Sequence, residues 1–232
     1  MKIQTSQLNE SIRHIPLPDN LRERPVSRQG FPVPYFAGFV DGEWDFRVVA
    51  PNRFPECVMK KRCWVCGLAM GSMFCFVAGP MCIVTKTSAE PPCHYSCAHY
   101  AAIACPFLAN PSMKRNVKDL PEGHQPPAGT AIMRNPGVTA ILMTRKYSLF
   151  DDGRGGKLIR MGQPVRIEWY AHRRQATREE VMESIDSGMS TLWDACEQET
   201  TESERADARR VLQSQLKEAI AFLPPAGGPV QG

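Results

Sequence analysis

The sequence predicts an α+β fold, because several short β-rich segments precede two long helical segments near the C-terminal end. An N-terminal hairpin is expected between residues 33 and 50, where two apolar runs flank Asp41-Gly42, a pair that readily adopts the positive φ of a tight turn. A small antiparallel sheet is expected further along, since residues 138–150, 158–161 and 165–170 are β-rich and separated by turn residues.

Two C-terminal helices complete this prediction. Thr177 and Glu180 have the spacing of a capping box, and Thr201 and Glu204 repeat it, so each pair marks the start of a helix. Apolar residues recur at helical spacing in the second helix and predict its core face: Ala208, Val211, Leu212, Leu216, Ala219, Ile220 and Leu223.

The middle of the chain predicts a hairpin followed by a short helix. Residues 73–85 contain two β-rich runs on either side of Gly79-Pro80, and this pattern is typical of a second hairpin. Residues 91–104 are expected to be helical, because proline suits a first helical turn and alanines fill the body of the segment. Pro106 is expected to end this helix.

Composition restricts the classes of function. The formal charge of the 232-residue chain is only +4, so the total does not require a polyanionic partner, although a basic block at 134–178 precedes an acidic block at 179–217. No segment is apolar and long enough to span a membrane, and the N-terminus lacks a secretory signal, so we expect a cytoplasmic protein without a membrane partner. In that reducing compartment, nine cysteines favour metal binding over disulfides.

Four cysteine and histidine residues have the spacing of a zinc site. Cys63 and Cys66 form a CxxC turn, followed by Gly67, that places two thiolates on one side of a metal ion. His94 and Cys97 are three residues apart on the predicted helix and therefore share a face. A knuckle, a hairpin and a helix with the second ligand pair form the arrangement called a treble clef. The sequence therefore predicts a treble-clef-like module with one structural Zn²⁺ per chain.

Other interpretations of the cysteines remain. Cys82, on the predicted hairpin, could replace one of the four ligands, whereas Cys105 lies too far along the helix to share their ion. Buried cysteines can also pack as small apolar side chains without a metal. A redox role for the CxxC motif is disfavoured, because no thioredoxin-like βαβ pattern surrounds it.

The treble clef is also the scaffold of HNH-type nucleases, in which a histidine on the hairpin serves as general base. No histidine or aspartate occurs between Gly67 and Cys93, so this base is missing from its expected position. Four protein ligands also leave zinc no open position for water. The sequence therefore favours a zinc-stabilised binding protein without catalysis. The alternative is an HNH-like, metal-dependent nuclease whose base is His99 or His124.

Basic residues near the zinc motif and on the predicted strands indicate a nucleic-acid partner, since cationic strands can follow a phosphate backbone. The candidates are Lys60, Lys61, Arg62, Arg145, Lys146, Arg160 and Arg166. In the alternative interpretation, these residues form a solvated face that the acidic helix after them neutralises. The other candidate partner is a host protein.

Four stretches of the chain resemble an uncharacterised family of proteins met in bacterial and phage genomes. They are CWVCG at 63–67, AGPMC at 78–82, EPPCHYSCAHYAAIACPFL at 90–108 and EWYAHRRQATREEV at 168–181. The resemblance covers most of the chain and implies a zinc ion at the four positions identified above. It also implies a packing role for Cys82 and Cys105 and a phage-related setting.

These observations divide the chain into five segments. Residues 1–32 are expected to form an irregular N-terminal arm over the surface, 33–109 the hairpin and zinc-binding module, and 110–129 a linker or surface loop. Residues 130–224 are expected to form the antiparallel sheet and a helical hairpin, in one core with 33–109. Residues 225–232 are expected to be a disordered tail.

Overall fold

The structure is a computed structural model that describes residues 2–110 and 137–226, together with single residues between these ranges: 113, 116, 118, 120 and 128. Most of the predicted linker at 110–129 and of the predicted tail at 225–232 lies outside the described residues. The α+β class is confirmed, because small antiparallel sheets are combined with helices. Within the described ranges, no helix has both the length and the apolar character needed to cross a membrane.

The strands and helices alternate irregularly along the chain. The strands are β1 Ala37–Val40, β2 Glu43–Val49, β3 Phe74–Ala78, β4 Thr87–Ser88, β5 Thr139–Thr144, β6 Tyr147–Asp151, β7 Lys157–Met161, β8 Pro164–Ala171 and β9 Arg174–Gln175. The helices are α1 Arg53–Met59, α2 Pro80–Thr85, α3 Tyr95–Ala104, α4 Pro106–Ala109, α5 Arg178–Glu197 and α6 Glu202–Ile220. Short 3-10 turns at Thr5–Gln7 and Asp19–Leu21 precede β1.

The strands form antiparallel sheets of two, four and three strands. The pair β1-β2 is the predicted N-terminal hairpin, and its turn residues Asp41 and Gly42 have φ values of 49° and 83°. The four-stranded sheet has the order β3-β5-β8-β9, and the three-stranded sheet has the order β4-β7-β6. The first hairpin is therefore confirmed. The prediction of a single C-terminal sheet is wrong, because β5 and β8 belong to the four-stranded sheet whereas β6 and β7 belong to the three-stranded sheet.

The strand predicted at 138–150 is broken at Arg145-Lys146. Buried Thr144 ends β5, and its hydroxyl donates a hydrogen bond to the carbonyl of Gln163 (2.9 Å). The amide of Gly162 donates to the carbonyl of Lys146 (2.9 Å). These bonds turn the chain, so that β6 leaves the four-stranded sheet and pairs with β7.

The prediction of a second hairpin at residues 73–85 is wrong. Its first half forms β3, but Gly79 and Pro80 then start helix α2 instead of a turn. The fixed φ of proline suits a first helical turn, and here it prevails over the β propensity of the residues that follow. Strand β3 instead pairs with β5, across a long separation in sequence.

The helix predicted at 91–104 begins later, at Tyr95. The residues before it are extended, because Cys93 and Cys75 form a β-bridge with backbone N–H···O distances of 2.8 and 3.1 Å. The helix ends at Ala104, as predicted. Pro106 then occupies the first turn of α4, so it starts a new helix as well as limiting the previous one.

The four-stranded sheet separates two apolar clusters, because successive side chains of a strand point to opposite faces. On one face, Phe76, Leu142 and Trp169 pack with helices α2, α5 and α6. On the other face, Ile141 and Tyr170 pack with α3, with buried cysteines and with N-terminal residues. The sheet is therefore the middle of three layers.

Residues 2–32 contribute to the core rather than lying over its surface, so this part of the prediction is wrong. Ile12 is fully buried, and Leu8 and Leu21 are nearly so. They belong to the same apolar cluster as buried Cys63 and Cys97. The backbone is irregular, as predicted, and for that reason its apolar residues follow no helical or strand period that would have revealed their burial.

Helices α5 and α6 begin at the predicted capping boxes. In each box the threonine hydroxyl accepts a hydrogen bond from the amide of the glutamate three residues later, at 3.3 and 3.2 Å. On the predicted core face of α6, Leu212 and Ala219 are buried, and the partly buried residues are Ala208, Leu216, Ile220 and Leu223. Val211 contradicts the prediction, since it lies at the edge of this face and is 57% exposed.

Replacing Ile12 by alanine tests whether the N-terminal segment belongs to the core. We expect Ile12→Ala to lower the free energy of unfolding by about 2–5 kcal/mol, the usual cost of truncating a large buried aliphatic side chain. Urea denaturation measures this change. The control is Glu10→Ala, at an exposed position of the same segment, which should alter stability by less than about 0.5 kcal/mol. Equal stability of the two variants would contradict the role of Ile12.

Candidate metal centre

One group of histidine and cysteine side chains on the described part of the chain could hold a metal ion. The sulfur atoms of Cys63, Cys66 and Cys97 and a ring nitrogen of His94 all lie within 4.8 Å of one another. The three cysteines are buried, and His94 is half-buried. A tetrahedral ion with metal–sulfur bonds of about 2.3 Å needs sulfur atoms about 3.8 Å apart. The four predicted ligands are therefore brought together at separations that suit a single ion.

The first two ligands lie on a tight turn at residues 62–69, the knuckle. The amide of Gly67 donates a hydrogen bond to the carbonyl of Cys63 (2.8 Å), and the amide of Cys66 points at the sulfur of Cys63 (3.4 Å). Gly67 has a φ of 82°, and a Cβ atom there would lie 2.5 Å from the ring of Tyr35. Glycine is therefore required for the backbone to curl around the ligand pair.

The other two ligands lie at the start of α3. His94 is the N-cap residue, and Cys97 follows in the first turn on the same side of the helix. The amide of His94 points at the sulfur of Cys63 (3.4 Å), and the amide of Trp64 donates to the carbonyl of Pro92 (3.1 Å). Backbone groups therefore hold the knuckle against the start of the helix.

The two ring nitrogens of His94 have different partners. Nδ1 lies 3.3 Å from the sulfur of Cys66, whereas Nε2 lies 3.1 Å from the carbonyl oxygen of Ala69. A carbonyl only accepts hydrogen bonds, so in the neutral ring Nε2 carries the proton and donates a hydrogen bond to the carbonyl of Ala69. The lone pair of Nδ1 then faces the sulfur atoms. Metal-binding histidines commonly have such an outer carbonyl partner, so Nδ1 is the nitrogen placed to bind an ion.

Hydrogen bonds within the cluster give its members different pKa values. Burial raises the pKa of Cys63, but hydrogen bonds from the other three ligands outweigh burial and hold this pKa well below that of a free thiol. The bond to Cys63 raises the pKa of Cys66 to about 11 and also raises the pKa values of Cys97 and His94. Cys63 is thus the most acidic thiol of the three, and a metal ion would displace the protons of Cys66 and Cys97.

A fixed positive charge beside the cluster was not predicted from the sequence. The guanidinium of Arg24 donates hydrogen bonds to the carbonyls of Val33 (2.9 Å) and Pro34 (3.3 Å). Burial and the charge of Arg53 lower the pKa of Arg24, while the nearby thiol of Cys66 raises it. Arg24 therefore offsets part of the negative charge that the thiolates carry. No local motif links Arg24 to Cys66, so only the fold reveals their proximity.

The remaining cysteines lie outside the group. Cys82 is on α2, which packs on the opposite face of the four-stranded sheet, so it cannot replace one of the ligands. Cys105 follows the last turn of α3, away from the ligand residues at the first turn. Burial raises the pKa of Cys75 to about 12 and raises that of Cys93 as well, as expected for thiols that pack without reacting.

The seven basic residues that the sequence assigns to nucleic-acid binding lie in different surroundings. Arg62 contributes to the knuckle, since its Nη1 donates to the carbonyl of Gly67 (2.9 Å). The guanidinium of Arg160 lies 4.7 Å from the ring centre of Phe150. The other five lie near one end of the four-stranded sheet: Lys60, Lys61, Arg145, Lys146 and Arg166.

A buried carboxylate that the sequence analysis did not identify lies beside α3. Glu168 is buried, and its Oε2 accepts hydrogen bonds from the hydroxyls of Tyr170 (2.7 Å) and Tyr95 (3.0 Å). The ring of His99 packs against both tyrosines, with centroid distances of 5.4 and 6.0 Å. His99 is therefore an aromatic packing partner, and His124 lies outside the described residues. The sequence signal for this cluster is a glutamate between the apolar residues Ile167 and Trp169 of β8.

Comparisons with known proteins do not identify a family. No family model matches the chain, and no curated protein or solved structure matches it. The resemblance to uncharacterised bacterial and phage proteins stays a prediction, and the interpretation of the metal centre depends on its geometry.

Cys66→Ser tests the ligand assignment. Serine is a poor ligand for a thiolate-binding ion, so we expect the metal content of the purified variant to fall well below that of the unmutated chain. Elemental analysis by mass spectrometry measures this content. Cys82→Ser, the same chemical change at a half-buried position on the other face of the sheet, is the control and should retain the metal. A similar loss in both variants would contradict the assignment.

Proposed function

We propose that this chain is a zinc-stabilised binding protein in which one structural Zn²⁺ is bound by Cys63, Cys66, His94 and Cys97. The observation that carries the proposal is the position of four ligand atoms within 4.8 Å of one another. Three thiolates and an imidazole suit zinc, which prefers a tetrahedron of sulfur and nitrogen ligands. With four protein ligands, no coordination position is open for a reactive water, so the ion stabilises the fold without catalysing a reaction.

Zinc binding at this site is coupled to folding in our proposal. Cys66 and His94 are 28 positions apart in the sequence, and an ion bound to both closes the chain between them. The cysteines also share an apolar cluster with Ile12 and Leu21 of the N-terminal segment. Because the unfolded chain lacks this preformed site, the free energy of zinc binding contributes directly to the free energy of folding.

The module is treble-clef-like in this proposal. The knuckle at 62–69 and helix α3 each carry one ligand pair, and this division supports the comparison. Between them, β3 is followed by α2 where a treble clef has the second strand of a hairpin. The likeness therefore concerns the metal-binding parts of the treble clef and not its complete topology.

The proposed partner is a nucleic acid or a host protein, in a phage-related, cytoplasmic setting. The exposed cations near one end of the four-stranded sheet support a nucleic acid. The resemblance to bacterial and phage proteins supports the setting. The lack of a histidine between Gly67 and Cys93, where an HNH-like nuclease has its general base, favours binding over that alternative.

Metal analysis and thermal unfolding test the role of zinc. We expect about one equivalent of zinc per chain, the content of a structural site with four ligands. Removal of the ion with a chelator should lower Tm, and added Zn²⁺ should restore it, because binding stabilises only the folded chain. A zinc content well below one equivalent, or a Tm that does not respond to the chelator, would contradict the proposal.

Plasmid DNA with added Mg²⁺ tests the absence of catalysis. We expect the DNA to remain intact on an agarose gel, because the metal centre has no open position and no histidine lies between Gly67 and Cys93. Cleavage that disappears in His99→Ala but persists in the control His14→Ala, at an exposed position of the N-terminal segment, would establish the nuclease alternative instead.

A further inference from the structure

Basic residues from separate segments of the chain meet at one end of the four-stranded sheet. Phe74, Thr144 and Pro164 are paired across this end of β3, β5 and β8. The ammonium group of Lys61 lies 6.0 Å from the ring centre of Phe74. Arg145-Lys146 directly follows Thr144. Residues that are far apart in the sequence thus come together in space.

The positions of these cations are fixed by the backbone. The hydroxyl of Tyr147 donates to the carbonyl of Val58 (3.1 Å), which holds the segment leading to Lys60-Lys61 against the turn after β5. In that turn, the amide of Gly162 donates to the carbonyl of Lys146 (2.9 Å), and a Cβ atom on Gly162 would lie 2.4 Å from the same oxygen. The turn is therefore tight and holds its cations in defined places.

The acidic helices do not neutralise this end of the sheet. Within the described residues, no ion pair involves Lys61, Arg145 or Lys146, and all three are exposed. Acids of α5 and α6 instead pair with other cations, as in Arg174–Glu180, Arg209–Glu197 and Lys86–Glu218. The sequence also allowed a second interpretation, in which the acidic helix neutralises the basic residues. At Lys61, Arg145 and Lys146 this neutralisation does not occur.

Two further cations and an aromatic ring extend this surface. The ammonium of Lys60 is 3.8 Å from Glu56, and the guanidinium of Arg166 is 2.9 Å from Glu168. The Arg166 side chain is 66% exposed, so part of its guanidinium is accessible to a ligand. Glu168 also accepts the hydroxyl of Tyr95 (3.0 Å), which holds this 43% exposed residue near Arg166. A half-exposed aromatic ring thus lies beside Arg166.

We propose that this surface, the basic end, binds single-stranded nucleic acid; it comprises Lys60, Lys61, Arg145, Lys146, Arg166 and Tyr95. The inference rests on the proposed function and names its partner. The cations contact successive phosphates of the strand, and Tyr95 stacks against an unpaired base. A single strand suits the surface better than a duplex, because duplex bases are already stacked on one another and do not reach the tyrosine ring.

Fluorescence anisotropy with a short labelled single-stranded DNA, at several salt concentrations, tests this inference on the zinc-loaded full chain. Affinity should fall as salt rises, because each phosphate contact releases counterions. The double variant Arg145→Ala/Lys146→Ala should lose roughly 25-fold in affinity at about 0.1 M salt and about 1.4 in the salt slope, the loss for two contacts to a single strand.

Arg22→Ala/Arg28→Ala is the matched control, since it removes the same charge from exposed positions of the N-terminal segment. It should change affinity by less than about threefold, because Arg22 and Arg28 already pair with Asp19 and Glu43, do not belong to the basic end, and are exposed charges that salt screens. Tyr95→Leu should weaken binding by about fivefold or more through loss of stacking, whereas Tyr95→Phe keeps the ring and should restore most of the affinity.

The inference is overturned if the Arg145/Lys146 double variant binds like the unmutated chain, if a duplex of the same sequence binds equally well, or if poly-glutamate binds as tightly as the DNA. Zinc content measured on the same samples separates this inference from the proposed function. A zinc-loaded chain that binds no single strand overturns the inference alone. A zinc-free chain that still binds one overturns the proposed zinc role and leaves the inference standing.

Discussion

The convergence of three thiols and one imidazole in a buried space is the constraint on which the rest of the structure depends. The knuckle and the start of α3 meet there through few backbone bonds, such as the one from Trp64 to Pro92 (3.1 Å). The N-terminal segment packs on the same cluster through residues such as Ile12. Ligand geometry and apolar packing thus act on the same group of residues.

The four-stranded sheet joins this cysteine-rich layer to a helical layer and keeps them apart. Along β3, Phe74 and Phe76 face the helices, whereas Cys75 faces the cysteines. A strand makes this separation possible because its side chains alternate between faces. At the end of the sheet the separation stops, and Lys61, from the cysteine-rich side, reaches the ring of Phe74 on the helical side. The basic end therefore lies where the two layers meet.

Sequence patterns predicted the elements whose stabilising contacts are local. Asp41-Gly42 predicted the first hairpin, the capping boxes predicted α5 and α6, and the cysteine and histidine spacing predicted which side chains form the candidate metal centre. The sequence patterns failed to predict elements whose stabilising partners are distant in the sequence. Residues 73–85 hold a β-rich strand whose partner, β5, follows much later, and Pro80 starts a helix that local β propensity conceals. Ile12 is buried by contacts with the cysteine-rich layer. The segment around it has no helical or strand period, so its sequence does not indicate this burial. The two tyrosine partners of Glu168 come from different elements.

The basic and acidic blocks neutralise each other only in part, because among the described residues a single ion pair, Arg174–Glu180 (2.7 Å), joins them. Arg209 of α6 lies 2.7 Å from Glu197 of α5 and 3.3 Å from Glu202, so these helices balance part of their acidity internally. Exposed ion pairs of this kind add little stability. They do determine which charged side chains of the protein remain unpaired. Arg145 and Lys146, in the turn between β5 and β6, form no ion pair with the described acids. A polyanion that approaches this end of the sheet therefore meets cations that the protein's own carboxylates have not neutralised.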